Sequence, residues 1–378
     1  MKPTEILEYF QERQAAIIEL IREIVDIESP SHDRDRSCKV ADWIEGQTHA
    51  TGADVSVERV SVASGDHLIL RAFPSEAKSV LLLGHTDTVH PVGTNLQNPT
   101  RIEGDKFYGC GIFDMKSGIV LMLESLRFFA ASGLRPSRTI TIFLSCDEEV
   151  GSFSGRPLIE PEAANTEICL VFEPSADGRV KTGRKGTGMF TLRAHGIPAH
   201  AGLEPEKGAN AIVELARQIE RVNAIANAKL GTTVNVTTFR GGTTSNVIPE
   251  HAECEIDVRF SLMREADRVD AAFRDLGAFD DRITLDLLGD INRPPMERTV
   301  AVIELFETAR YLAAEFGYEL GETQVGGASD GNFVAAMGVP VLDGLGISGG
   351  GAHTLNEHIL VDDISRRATL ITTLMVNP

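Results

Sequence analysis

Two residues that can do chemistry, His85 and Asp87, follow the apolar run Val80–Leu83 after a single glycine. An imidazole can ligate a metal or carry a proton, and a carboxylate two residues on can hold its ring. Alone, the pair is weak evidence and reads more simply as a strand-end histidine hydrogen-bonded in a turn. Two other apolar stretches end in the same way. Thr139–Ser145 runs into Asp147-Glu148-Glu149, and Ile168–Phe172 runs into Glu173-Pro174. Asp114 adds a further acid just ahead of an apolar helix. Carboxylates gathered at one sheet edge repel each other unless protons or a cation sit between them. A solvated acidic surface explains one such cluster, but not three strand ends and Asp114 together.

The elements that must position these residues follow from periodicity. Val80–Leu83 is continuously apolar, as in a parallel strand buried on both faces, and ligands gather at the carboxyl ends of such strands. Helical spacing covers 5–27 and 36–50, strand signals fall at 54–62, 67–73 and 80–83, and a buried helix spans 117–131. From about 183 the texture changes to alternating strands. The order is strand 189–194, helix 207–224, strands 233–239 and 252–260, helix 264–276 and strand 282–288. That β-α-β-β-α-β order predicts a ferredoxin-like α+β domain with one open sheet face. Asn292-Arg293-Pro294-Pro295 reads as the return linker. A helix at 299–316, a strand at 339–342 and a helix at 361–375 then restore the α/β texture. The expected organisation is an α/β catalytic domain from residues 1–182 and 293–378, with 183–292 inserted.

A chain of 378 residues exceeds the size at which single cores stop growing, consistent with two domains. The formal charge of −19 argues against nucleic acid and anionic membrane as partners. Met1–Asp26 carries acids throughout a helical pattern and does not read as a signal peptide. Five scattered cysteines without a Cys-x-x-Cys indicate neither disulfides nor a thiolate zinc site, and point to a reducing cytoplasm.

With these residues assembled, the chain resembles the M20 metallopeptidase family, in its glutamate carboxypeptidase and N-acyl-amino-acid deacylase branch. The resemblance rests on segments in the family's order: Gly84–Val89, Gly111–Gly118, Asp147–Ser152, Phe172–Pro174, Ala199–Gly202, Ser245–Pro249, Asp257–Arg259, Asn292–Pro295 and Gly349–His353. It implies a zinc-peptidase-like three-layer catalytic domain and an inserted lid and dimerisation domain. It also implies two divalent ions per chain, zinc first, with cobalt or manganese as alternatives. Asp114 would bridge them, with His85 and Glu173 on one ion and Glu149 and His353 on the other. Glu148 would be the general base and Asp87 the partner of His85. Asn246, Arg259 and the glycines Gly350 and Gly351 would bind substrate. His200 would reach across a homodimer to hold the oxyanion. A cis peptide is expected between Asp114 and Met115. Glutamate at 173, where aminopeptidase-like relatives carry aspartate, favours the carboxypeptidase and deacylase side.

The implied substrate is a small carboxylate-bearing peptide or N-acyl amino acid. For Arg259 the plain alternative is a salt-bridged surface arginine. Gly344–Gly349 matches G-x-G-x-x-G, but too little chain follows to build a dinucleotide unit. Cys146 reads as a packed strand cysteine, and His90 and His358 as structural loop histidines. Gly326–Asp330 reads either as pocket lining or as a glycine turn. Besides the hydrolase, a nicotinamide oxidoreductase would rest on the glycine loop, and a non-catalytic metal-binding regulator on the ligands alone.

Overall fold

A computed structural model describes residues 1–376. The chain divides into two compact units, crossing between Gly183 and Arg184 and returning between Glu297 and Arg298. Gly326–Ala328 also belong to the second unit.

The first unit is built on a six-stranded sheet. In chain order its strands are β1 (Val55–Ser61), β2 (Asp66–Ala72), β3 (Ser79–His85), β4 (Ile140–Ser145), β5 (Thr166–Val171) and β6 (Val341–Leu342). Across the sheet the order is β1-β2-β4-β3-β5-β6. β4, β3, β5 and β6 run parallel, while β1 and β2 are antiparallel to their neighbours. The three strands that end in candidate residues are therefore adjacent, with β3 in the middle. His85 lies opposite Ser145 and Leu83 opposite Val171, so these strands finish level.

Every residue of β3 is buried. Alternation sends Val80 and Leu82 into a core with Ile142 and Leu170. That core is closed by the helices Pro3–Asp26, Ser117–Ser132 and Ile364–Val376, which pack on one another. Leu81 and Leu83 face the other side, where Arg156–Ala164 and Gly331–Ala336 pack against β5. Helix Ser117–Ser132 is buried on nearly all sides, including Glu124. That carboxylate is held by Arg13 (2.7 and 3.1 Å) and Arg127 (2.8 Å), so the helix can sit inside the protein.

A smaller antiparallel sheet pairs Arg101–Glu103, Lys106–Tyr108, His358–Leu360 and Gly349–Gly350. Its strands of two or three residues are too short to carry a period in the sequence. Yet it anchors both ends of the loop that bears His353. The helix Arg156–Ala164 also escapes the periodicity reading, since Pro157 and Pro161 break its pattern.

The second unit has the expected order: strand Gly186–His195, helix Ala211–Ala224, strands Thr233–Gly241 and His251–Phe260, helix Met263–Arg274 and strand Thr284–Arg293. In space the second strand pairs the third, the third the first and the first the fourth, all antiparallel. Phe190, Leu192, Ile256 and Val258 meet Leu215, Val222, Val269 and Phe273 on one face. Asn210 accepts from Val213 N (3.1 Å) and starts the helix later than the expected residue 207. Asn292 and Arg293, read as linker, lie in the last strand; Pro294, without an N–H, ends the ladder.

Leu82 is fully buried in the central strand. Leu82→Ala is expected to cost about 2–5 kcal/mol of stability, measured by urea unfolding under far-UV circular dichroism.

Candidate metal centre

His85 ends β3, and its ring is held from behind. Nδ1 donates to the Asp87 carbonyl at 2.9 Å, with the Asp87 carboxylate at 3.4 Å. With Nδ1 donating there, Nε2 is the nitrogen that meets the carboxylates, and it becomes a ligating lone pair once its own proton is lost. Nε2 lies 3.1 Å from Asp114 Oδ1 and 3.6 Å from Glu173 Oε1, at the end of β5. The Asp87 carboxylate is shared more widely than its spacing suggests. It accepts from Ser31 Oγ (2.7 Å), Glu148 N (3.2 Å) and Glu149 N (3.1 Å), pinning the turn that follows β4.

Asp114 lies in the turn Ile112–Lys116 that opens the buried helix, and its peptide to Met115 is cis. Its second oxygen, Oδ2, is 3.3 Å from His353 Nε2, which is 3.4 Å from Glu149 Oε2. One carboxylate thus stands between two imidazoles, each with a further glutamate beside it. Ligand atoms of His85, Glu148 and Glu173 lie within 4.8 Å of one another, as do those of His85, Asp114 and Glu149. The motif's members come together from three strands, a turn and a distant loop.

Electrostatics show what this cluster demands. Hydrogen bonds to Asp114 and Glu149 raise the His353 imidazole to about 10. Burial would lower His85, but Asp114 and Asp87 hold it well above the ordinary range. Burial would raise Asp114, but His353 and His85 hold it down, whereas burial pushes Glu149 up. Protons on the imidazoles are doing what a cation would do. Glu149 Oε1 is buried without a hydrogen-bond partner. An orphaned carboxylate oxygen among imidazole and carboxylate donors fits a divalent cation of the zinc, cobalt or manganese type.

In the second unit, His200 is exposed. Its Nδ1 accepts the N–H groups of Gly202 (3.1 Å) and Leu203 (3.2 Å). In the neutral ring the proton is therefore on Nε2, which faces outward as a donor. Asn246 lies beside it: its carbonyl accepts from Ala201 N (2.9 Å), and Val247 bridges His200. Arg259 is elsewhere. Asn246 precedes the start of strand His251–Phe260 and Arg259 sits near its end, about 26 Å along the strand at ~3.3 Å per residue. The two therefore lie towards opposite ends of this sheet. Arg259 lies opposite Thr187, where the chain enters this unit, and its fork is engaged by Asp257 at 2.8–3.1 Å.

Residues 81–377 match peptidase family M20/M25/M40. The chain belongs to that family. This M20 peptidase is 31% identical to carboxypeptidase G2 of Pseudomonas sp. (strain RS-16), over 97% of this chain and 90% of that protein. It is 31% identical to a succinyl-diaminopimelate desuccinylase of Delftia acidovorans, over 75% of this chain and 78% of that protein. Its fold is similar to the aminopeptidase PepT of Bacillus cereus, with TM-score 0.79 at 22% identity, covering 96% and 98% of the two chains. The family resemblance read from the motifs holds, and the protein is a hydrolase.

Other sequence signals acquire a different meaning in the M20 peptidase. The G-x-G-x-x-G run is packing chemistry: a Cβ on Gly346 would meet Glu173 O at 2.7 Å. Gly351 has φ +77, and its Cβ would meet Asn356 O at 2.7 Å, so the His353 turn needs glycine there. At Gly350 the nearest atom to such a Cβ is 3.5 Å away, so sterics leave that position open. Cys146 is buried and its thiol is pushed up to about 12 by burial, as suits a packed residue.

Sequence reasoning missed Ser31 altogether and left Asp330 open between pocket lining and a turn. Asp330 is buried and accepts from Ser145 Oγ (2.9 Å) and from Ser152 Oγ, so it clasps both ends of the turn carrying Glu148 and Glu149. An acid four residues into a glycine run was the only signal. Asp330→Ala is expected to cost about 1–3 kcal/mol and to lower activity in the folded protein, read by urea unfolding and steady-state kinetics.

Proposed function

We propose that this protein is a two-metal hydrolase that cleaves an amide bond next to a free carboxylate, releasing a C-terminal glutamate or similar amino acid. The observation that carries this reading is Asp114, whose two oxygens separately meet His85 and His353. The likeness to carboxypeptidase G2 along nearly the whole chain supports the substrate class.

His85 and Glu173 would hold one ion and Glu149 and His353 the other, with Asp114 between them. Zinc suits these donors, and cobalt or manganese would serve. Bound there, such ions make water a nucleophile at neutral pH and polarise a carbonyl. Glu148 takes the proton of the attacking water and passes it to the leaving amine. Its backbone is tied to Asp87, which keeps the base in register with His85. His200 Nε2–H donates to the oxyanion that develops on the substrate.

His200 and Asn246 lie at the end of their sheet remote from Gly186 and Arg293, where the chain enters and leaves the unit. That separation supports a homodimer joined through the inserted unit, each copy lending His200 and Asn246 to the other. Arg259 would bind the substrate carboxylate in exchange for Asp257, and the glycines Gly350 and Gly351 would line the substrate path in the first unit. A second reading, an N-acyl-amino-acid or diamino-acid deacylase with the same machinery, is favoured by the desuccinylase likeness. Five free cysteines fit a reducing cytoplasm, and among the described residues no helix is long and apolar enough to cross a membrane.

Glutamate release across peptidyl and N-acyl substrates, with zinc, cobalt or manganese supplied, tests the reading. Absence of amide hydrolysis throughout would overturn it. Glu148→Gln is expected to abolish turnover while keeping about two ions per chain, and Asp114→Ala to lose both; metal analysis separates base from ligand.

His200→Ala is expected to lower kcat by about 10²–10³ with KM little changed. Exchanging subunits between inactive His200→Ala and Glu148→Gln chains is expected to restore part of the activity. Exchanged mixtures that stay inactive rule out the cross-subunit role.

A further inference from the structure

Glu357 was absent from the residues singled out by spacing, and it is 1% exposed. It stands four residues after His353, in the same loop. Both of its oxygens are fully engaged. Oε1 accepts the N–H groups of Phe113 and Asp114, each at 2.9 Å. Oε2 accepts Gly111 N–H at 2.9 Å and His90 Nε2–H at 2.7 Å. Its backbone carbonyl accepts Gly109 N–H at 3.2 Å.

The three backbone donors come from the turn that aims Asp114. That turn starts from Gly111 at φ +73 and passes through non-helical angles at Asp114 and Met115. Its N–H groups precede the helix Ser117–Ser132 and lack the carbonyl partners of a helix interior. An acceptor-only carboxylate answers all of them and lies on the side of the helix dipole that favours negative charge. The residue that does so belongs to the loop carrying His353. One side chain therefore ties the backbone of Asp114 to the backbone that presents His353. Its hydrogen bonds there run to backbone N–H groups.

We propose that Glu357 is a positioning residue for the metal centre: its buried carboxylate sets the Asp114 turn and the His353 loop at a fixed separation. His90, read from the sequence as structural, is the fourth donor that keeps this carboxylate oriented. The inference rests on the two-metal reading above. A partner of this kind, one step removed from the ligands, typically governs about 10–100-fold in metal affinity or activity.

Glu357→Gln keeps the shape but turns an NH₂ towards N–H donors. In full-length protein reloaded with zinc, chelator competition is expected to find one ion held about 10–100-fold more weakly. kcat should fall with it while KM changes by less than about twofold. Glu357→Asp keeps the charge on a shorter stem and should recover part of the loss. A Glu357→Gln protein with lower Tm but unchanged metal affinity and kcat would make the residue merely structural and overturn the proposal. Should Glu357→Gln not fold, His90→Leu withdraws a single donor; several-fold weaker metal retention is expected, and unchanged retention overturns the proposal. Wild-type protein that takes up no ions or hydrolyses no amide would instead sink the two-metal reading itself.

Discussion

Negative charge crowded at one edge of a parallel sheet is the condition on which this protein is built. Asp114, Glu148, Glu149 and Glu173 converge with two histidines where β3, β4 and β5 end level. Carboxylates so close raise one another's proton affinity unless positive charge lies among them. Hydrogen bonds to Asp114 and Glu149 draw a proton onto His353, which is raised to about 10. A divalent cation held there would also satisfy the orphaned oxygen of Glu149. The cluster is therefore a candidate cation site.

The surrounding scaffold meets that condition with a ring of buried carboxylates that bind backbone and hydroxyl groups. Asp87 holds the amides of Glu148 and Glu149, Asp330 clasps Ser145 and Ser152, and Glu357 gathers the turn of Asp114. Each is acceptor-only and each meets donors, so none is left as an uncompensated buried charge. Their common effect is geometric. Turns that would otherwise flex at strand ends are held to the accuracy that ligation requires.

The second unit has another logic. Its core covers one face of an antiparallel sheet, and the residues proposed to act on substrate sit at the two ends. At one end backbone amides fix the His200 tautomer with Nε2–H outward. At the other Arg259 is held in a fork with Asp257. On the proposed reading, that distance is bridged by a second copy of the chain.

Much of this was legible in the residues alone. Continuous apolarity at Val80–Leu83 and its two companions identified buried parallel strands, and the acids at their ends identified a site, because burial and charge repulsion are local rules. The β-α-β-β-α-β order of the second unit was legible for the same reason: alternation records a half-covered sheet. Tertiary structure alone decided the rest. It made β3 the neighbour of both β4 and β5, brought His353 to Asp114 from more than two hundred residues away, and parted Asn246 from Arg259 along one strand. It also gave Glu357 and Asp330 their work. Their partners are backbone amides and hydroxyls, groups that nearly every segment offers. No pattern of residue types can mark such partners until the chain has folded around them.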